Sequence, residues 1–157
     1  MNLRRNRRRL AAVLTGASAA IHLTASVAHW QEWWVFAVVF ALTALLQLIW
    51  SVRVWEHDGA LLIGAGLALN LAITVVWALS RTRGLPFGPD AHIPEALGVP
   101  DLQATIDELL ACIVLLTAVA LPIRRALLRL SYGFEALGLG MLVTSFVLLA
   151  SGAGHPS

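Results

Sequence analysis

Charged residues are scarce in this chain of 157 residues, and lysine is absent. Only 13% of the residues are charged and 59% are hydrophobic, whereas soluble domains have about 25% charged residues. That balance excludes an ordinary soluble domain and favours an integral membrane protein. All eleven basic residues are arginines, which we interpret as the mark of a bacterium with GC-rich codons.

Cysteine pairs and catalytic motifs are lacking as well. Cys112 is the only cysteine, so no disulfide can form within the chain. The sequence has no H-E-x-x-H, no G-x-S-x-G and no glycine-rich phosphate loop, so no motif predicts catalysis or a nucleotide. His22 and His29 share one helix face and cannot ligate one haem iron from opposite sides. Neither haem nor nucleic acid is an expected ligand.

Five apolar segments are each about long enough to cross the hydrocarbon core of a bilayer. They predict an all-α transmembrane bundle that forms a single domain over residues 1–157. A long loop, 80–102, is rich in both proline and apolar residues, and we expect it to fold over one end of the bundle. The segments are 10–28, 34–52, 59–79, 103–122 and 134–150.

Nine of the eleven arginines fall at one end of the predicted bundle, and only Arg81 and Arg83 fall at the other. Since arginine-rich links stay in the cytoplasm, this predicts a multi-pass protein of the bacterial cell membrane with a cytoplasmic N-terminus. The alternative is that the first segment is a cleaved signal peptide, because small residues follow its arginine-rich start. Its apolar run is longer than such peptides usually have.

Polar residues recur every three or four positions in the first four segments, which places them on one face of each helix. Such faces point into a bundle, because lipid cannot satisfy polar groups. The four polar stripes are Thr15, Ser18, His22, Ser26 and His29; Thr43, Gln47 and Ser51; Gly66, Asn70, Thr74 and Trp77; and Asp101, Thr105, Glu108 and Cys112.

The expected depths of four residues in the membrane suggest two facing pairs of side chains, if the first and fourth helices are neighbours. His29 and Asp101 both lie near the outer boundary. His22 and Glu108 both lie about 10 Å deeper, at about 1.5 Å of rise per residue. Imidazole and carboxylate together suit a divalent transition metal such as Zn, Cu, Fe or Mn, or else a proton. The candidate metal ligands are His22, His29, Glu108, Glu32, Asp101 and His92.

We therefore predict an outer site that binds a metal or a proton for transport, sensing or delivery. A second hypothesis is a non-catalytic accessory subunit, in which the stripes serve helix packing in a homo-oligomer or against a larger membrane partner. A third hypothesis is an enzyme that acts on lipid, with Glu108 or His29 as its general base. No recognisable motif supplies that enzyme with a second catalytic group.

One segment of the long loop, together with two acidic residues that follow it, resembles a known pattern. The segment is Arg81-Thr82-Arg83-Gly84-Leu85-Pro86-Phe87-Gly88-Pro89, and the acidic residues are Glu95 and Asp101. It is similar to an R-T-x-G-L-P-x-G-P loop of small actinobacterial polytopic membrane proteins. The resemblance implies the bundle architecture and an actinobacterial source. It implies no activity and no ligand.

Overall fold

The computed structural model describes residues 3–119. Within that range the chain forms four α-helices and no strand. The predicted fifth segment, the end of the fourth segment and three of the nine clustered arginines lie outside the described residues. The four helices are α1 (Leu3–His29), α2 (Trp34–Glu56), α3 (Ala60–Thr82) and α4 (Val99–Val119).

All four helices extend past the predicted apolar segments at one end. Helix α1 begins at Leu3 instead of residue 10, because arginine is a good helix former and no glycine or proline interrupts the arginine cluster. Helix α4 begins at Val99 instead of residue 103, since Pro100 is tolerated in a first helical turn. The connecting loop is therefore 83–98, which is shorter than predicted.

Each described helix is long and apolar enough to cross a membrane, and many of its large apolar side chains are exposed. In α2, Ala44 and Gln47 are almost fully buried, whereas Leu42, Leu45 and Leu46 are each more than half exposed. This is the reverse of a soluble protein, in which glutamine is mostly exposed and leucine is mostly buried. A polar interior with an apolar exterior is the pattern of a polytopic membrane bundle.

Helices α2 and α3 approach each other closely at Gly66. A Cβ atom at this position would lie 2.1 Å from Cζ2 of Trp50, so only glycine leaves room for the indole ring. The Trp50 indole also donates a hydrogen bond to the carbonyl oxygen of Leu62 at 2.7 Å. The pairing of a large and a small residue thus sets the distance between the two helices.

The two ends of the bundle differ in chemistry. At one end, here called the Arg end, Asp58 in the α2–α3 turn lies 3.3 Å from Arg4 and 3.7 Å from Arg8 of α1. At the opposite end, here called the loop end, loop 83–98 packs back onto the helices. The backbone N–H of Glu95 donates to the carbonyl oxygen of Ser80 at 3.0 Å. The loop therefore lies against the end of α3.

Candidate functional site

The carboxyl group of Glu108 lies at the centre of the bundle, and only 1% of the residue is exposed. Its Oε1 atom accepts hydrogen bonds from Ser18 Oγ at 2.8 Å and from Gln47 Nε2 at 2.9 Å. His22 Nε2 lies 2.9 Å from the same oxygen. Thr74 Oγ1 lies 3.4 Å from Oε2. Side chains of all four helices therefore meet at one carboxyl group.

A second set of hydrogen bonds lies beside this carboxyl group. Thr15 Oγ1 donates to Asn70 Oδ1 at 3.3 Å, and Asn70 Nδ2 donates to the carbonyl oxygen of Gly66 at 2.8 Å. Gln47 Nε2 also lies 3.3 Å from Ser18 Oγ. Thr15, Asn70 and Gln47 are each 0% exposed. The prediction that the polar stripes point into the bundle is confirmed for these residues.

The pairing of His22 with Glu108 makes a buried acid–base pair. Their side chains are 10% and 1% exposed. Buried ionisable groups in a membrane are costly and usually face partners inside the bundle. Here the imidazole and two uncharged donors all contact one carboxyl oxygen, so these polar groups find their partners inside the bundle. Sequence analysis predicted that these two residues face each other, because their expected depths in the membrane match. That prediction assumed that α1 and α4 are neighbours.

The second predicted pair, His29 with Asp101, does not form. His29 Nδ1 lies 2.5 Å from Oε2 of Glu32, one turn away at the end of α1. Asp101 Oδ2 instead accepts a hydrogen bond from Arg81 Nη2 at 2.6 Å. A guanidinium at the end of α3 competes for the carboxylate of Asp101. Charge-assisted bonds of this kind are among the strongest available to a carboxylate.

Arg81 is the cation of the loop end that sequence analysis did not select. Its side chain is 11% exposed, and it pairs with Glu95 as well as with Asp101. One arginine thereby ties the end of α3 both to loop 83–98 and to the start of α4. A signal was present, because the polar stripe of α3 reaches Arg81 if it is continued by four residues from Trp77.

Aromatic rings separate the two histidines. The Phe40 ring stacks on the His29 imidazole with centroids 4.9 Å apart and on the His22 imidazole with centroids 5.7 Å apart. Phe36 lies edge-on to His29, at a centroid distance of 6.2 Å. Both phenylalanines continue the polar stripe of α2 towards the loop end at helical spacing, so the stripe becomes aromatic there.

A cavity in two adjoining parts leads from the loop end towards Glu108. The outer chamber has a volume of about 300 Å³ and is lined largely by charged and aromatic side chains. The inner chamber has a volume of about 260 Å³, has mostly apolar walls and reaches His22 and Glu108. The two chambers share His29, Phe36, Phe40, Arg81, Leu85, Phe87, Glu95 and Asp101.

Five of the six predicted metal ligands line the two-part cavity, but their side chains form separate pairs there instead of one cluster. His22 pairs with Glu108, His29 pairs with Glu32, and Asp101 pairs with Arg81. His92 lies in the loop, exposed, with a φ of 64°. Among residues 3–119, no group of three or more His, Cys, Asp or Glu side chains is placed to hold a metal ion. The metal site stays a prediction.

No family model, curated protein or solved structure matches this chain. The likeness of the loop to actinobacterial membrane proteins stays a prediction. The function is therefore inferred from the geometry of the described helices and loop.

Proposed function

We propose that this polytopic membrane protein holds and exchanges a proton at the His22–Glu108 pair. The supporting observation is the 2.9 Å contact between His22 Nε2 and Glu108 Oε1, in a buried position that also lines the inner chamber. The pair is thus shielded from lipid and connected to the loop end. The arginine asymmetry of the sequence favours placing that end outside the cell.

The chemistry of the two side chains suits a proton. Imidazole is the side chain that most readily changes charge near neutral pH. A proton that arrives through the cavity converts the neutral imidazole beside a carboxylate into an imidazolium–carboxylate ion pair. Ser18 and Gln47 donate to the carboxyl oxygen, so they hold the acceptor in place while the proton comes and goes.

Apart from His22, the side chains in direct contact with the Glu108 carboxyl group are uncharged. Helices α2 and α3 present the uncharged Gln47 and Thr74 to the carboxyl group. On α4 itself, the Cys112 sulfur lies one turn from Glu108 and faces the carbonyl oxygen of Leu67 at 4.0 Å. The imidazole therefore exchanges its proton chiefly with one carboxyl group.

Nuclear magnetic resonance of ¹⁵N-histidine-labelled protein in lipid nanodiscs tests this proposal. Spectra recorded between about pH 5 and 8 cover the range in which imidazole most readily changes charge, and we expect the His22 signals to differ between the wild type and Glu108→Gln. His57, whose side chain is 63% exposed, supplies an internal reference whose signals should be the same in both proteins. A His22 signal that is constant over this range, and the same in Glu108→Gln, would refute proton exchange at the pair.

A second function is favoured by a separate observation, namely that one carboxyl group receives side chains from all four helices. In that function the network only holds the helices together, as in an accessory subunit that assembles with copies of itself or with a larger membrane partner. Glu108→Gln distinguishes the two functions. If the network is only structural, Glu108→Gln changes the thermal stability of the protein, and the His22 signals of the wild type do not respond to pH.

A further inference from the structure

We infer that the two-chamber cavity binds an organic cation with an apolar body. This deepens the proposed function by naming the class of ligand that would share the cavity with the proton. It rests on the shape of the inner chamber, on the charge of the outer chamber and on the aromatic rings between them.

The inner chamber suits the apolar part of such a ligand. Its walls are mostly aliphatic and aromatic, and its volume of about 260 Å³ lies just below the range of about 300–1,000 Å³ that is usual for ligand sites. The adjoining outer chamber roughly doubles the space. Trp77 lines the inner chamber, and its buried indole N–H has no hydrogen-bond partner among residues 3–119.

The outer chamber selects positive charge. Four carboxylates line it, from Glu32, Asp90, Glu95 and Asp101, against a single guanidinium, from Arg81. That guanidinium already pairs with both Glu95 and Asp101, so it does not offer a site for an anion. The Asp90 carboxylate has no ion pair among the described residues. The excess negative charge therefore favours a cationic ligand.

The aromatic rings favour an organic cation over an inorganic one. Phe36 and Phe87 line both chambers, and their centroids lie 6.4 Å apart with a tilt of 48° between the rings. Ring faces attract alkylammonium groups through cation–π contacts. Hard metal ions instead require a shell of oxygen ligands. Carboxylates beside aromatic faces thus match an ammonium group attached to an apolar body.

Two aromatic ions of opposite charge test this inference on the wild-type protein. Isothermal titration calorimetry in nanodiscs would compare benzyltrimethylammonium with benzenesulfonate, and empty nanodiscs would correct for partitioning into lipid. We expect saturable binding of the cation and none of the anion. No saturable binding of the cation would overturn the inference, as would equal binding of both ions.

Charge variants locate the ligand. Glu32→Gln combined with Asp90→Asn removes two exposed carboxylates of the outer chamber, and we expect the affinity for the cation to fall about fivefold. Glu56→Gln combined with Asp58→Asn removes two carboxylates at the Arg end, so it is the control matched in charge and should bind like the wild type. An equal loss of affinity in the loop-end variant and in the control would show that the overall charge of the protein attracts the cation. That result would overturn the proposed site. The histidine titration uses no ligand, so it reports on proton exchange whatever the calorimetry finds.

Discussion

His22 Nε2 and Glu108 Oε1 lie 2.9 Å apart although 86 residues separate them in the chain. The contact joins α1 to α4, and Ser18 and Gln47 complete it by donating to the same oxygen. Removing the carboxyl group would leave three polar groups buried without their acceptor. The contact is therefore expected to affect stability as well as proton exchange, and substitutions that keep or remove the acceptor separate the two effects.

Glu108→Leu is expected to destabilise the bundle by about 1–3 kcal/mol, because buried donors lose their acceptor. Glu108→Gln retains an acceptor oxygen, so this variant should lose distinctly less stability than Glu108→Leu. Thermal unfolding in detergent, followed by circular dichroism, measures both. Equal melting temperatures for the wild type and Glu108→Leu would contradict a role for this carboxyl group in packing.

Arg81→Ala is expected to loosen loop 83–98, because Glu95 and Asp101 lose their shared cation. Limited proteolysis in detergent should cut the loop faster in this variant than in the wild type. Arg83→Ala removes the same charge from an exposed neighbouring position and serves as the control. If both variants are cut at the rate of the wild type, the two ion pairs of Arg81 do not hold the loop.

Gly66→Ala is expected to destabilise the bundle by about 1–3 kcal/mol through overpacking, since its Cβ would lie 2.1 Å from the Trp50 ring. Gly64→Ala is the matched control in the same helix, because nothing lies within 4 Å of its Cβ. That variant should be neutral or gain up to about 1 kcal/mol from the better helix propensity of alanine. Similar melting temperatures for the two variants would disprove the close approach at Gly66.

Metal content separates the proton proposal from the predicted metal site. After exposure to Zn, Cu, Fe and Mn followed by gel filtration, we expect the same metal content in the wild type as in His22→Ala combined with Glu108→Ala. Elemental analysis measures it. About one metal ion per wild-type chain, lost in a folded double variant, would instead establish the metal site.

Several features of the site were predictable because they depend on local periodicity and depth. Thr15, Ser18 and His22 repeat at helical spacing and are buried, as predicted. Asp107 shows the limit of that reasoning. It lies about a quarter turn from the polar stripe of α4, yet it is 7% exposed and accepts a hydrogen bond from Gln103 at 3.1 Å.

The partners at the loop end were not predictable in the same way. His29 and Asp101 have matching expected depths, but Asp101 pairs with Arg81 and His29 pairs with Glu32. Depth states how far along the membrane normal a side chain lies. It does not state which helix stands beside it or how that helix is rotated, and those two quantities select the partner.

The sequence by itself determined the membrane class, the first four apolar helices and the polar face of each, because hydropathy and helical periodicity are properties of neighbouring residues in the chain. Only the tertiary structure decided that one carboxyl group gathers four helices, that Arg81 ties the loop end together, and that a cavity reaches His22 and Glu108. Those features depend on the lateral order and rotation of the helices, which arise from packing between distant residues such as Gly66 and Trp50.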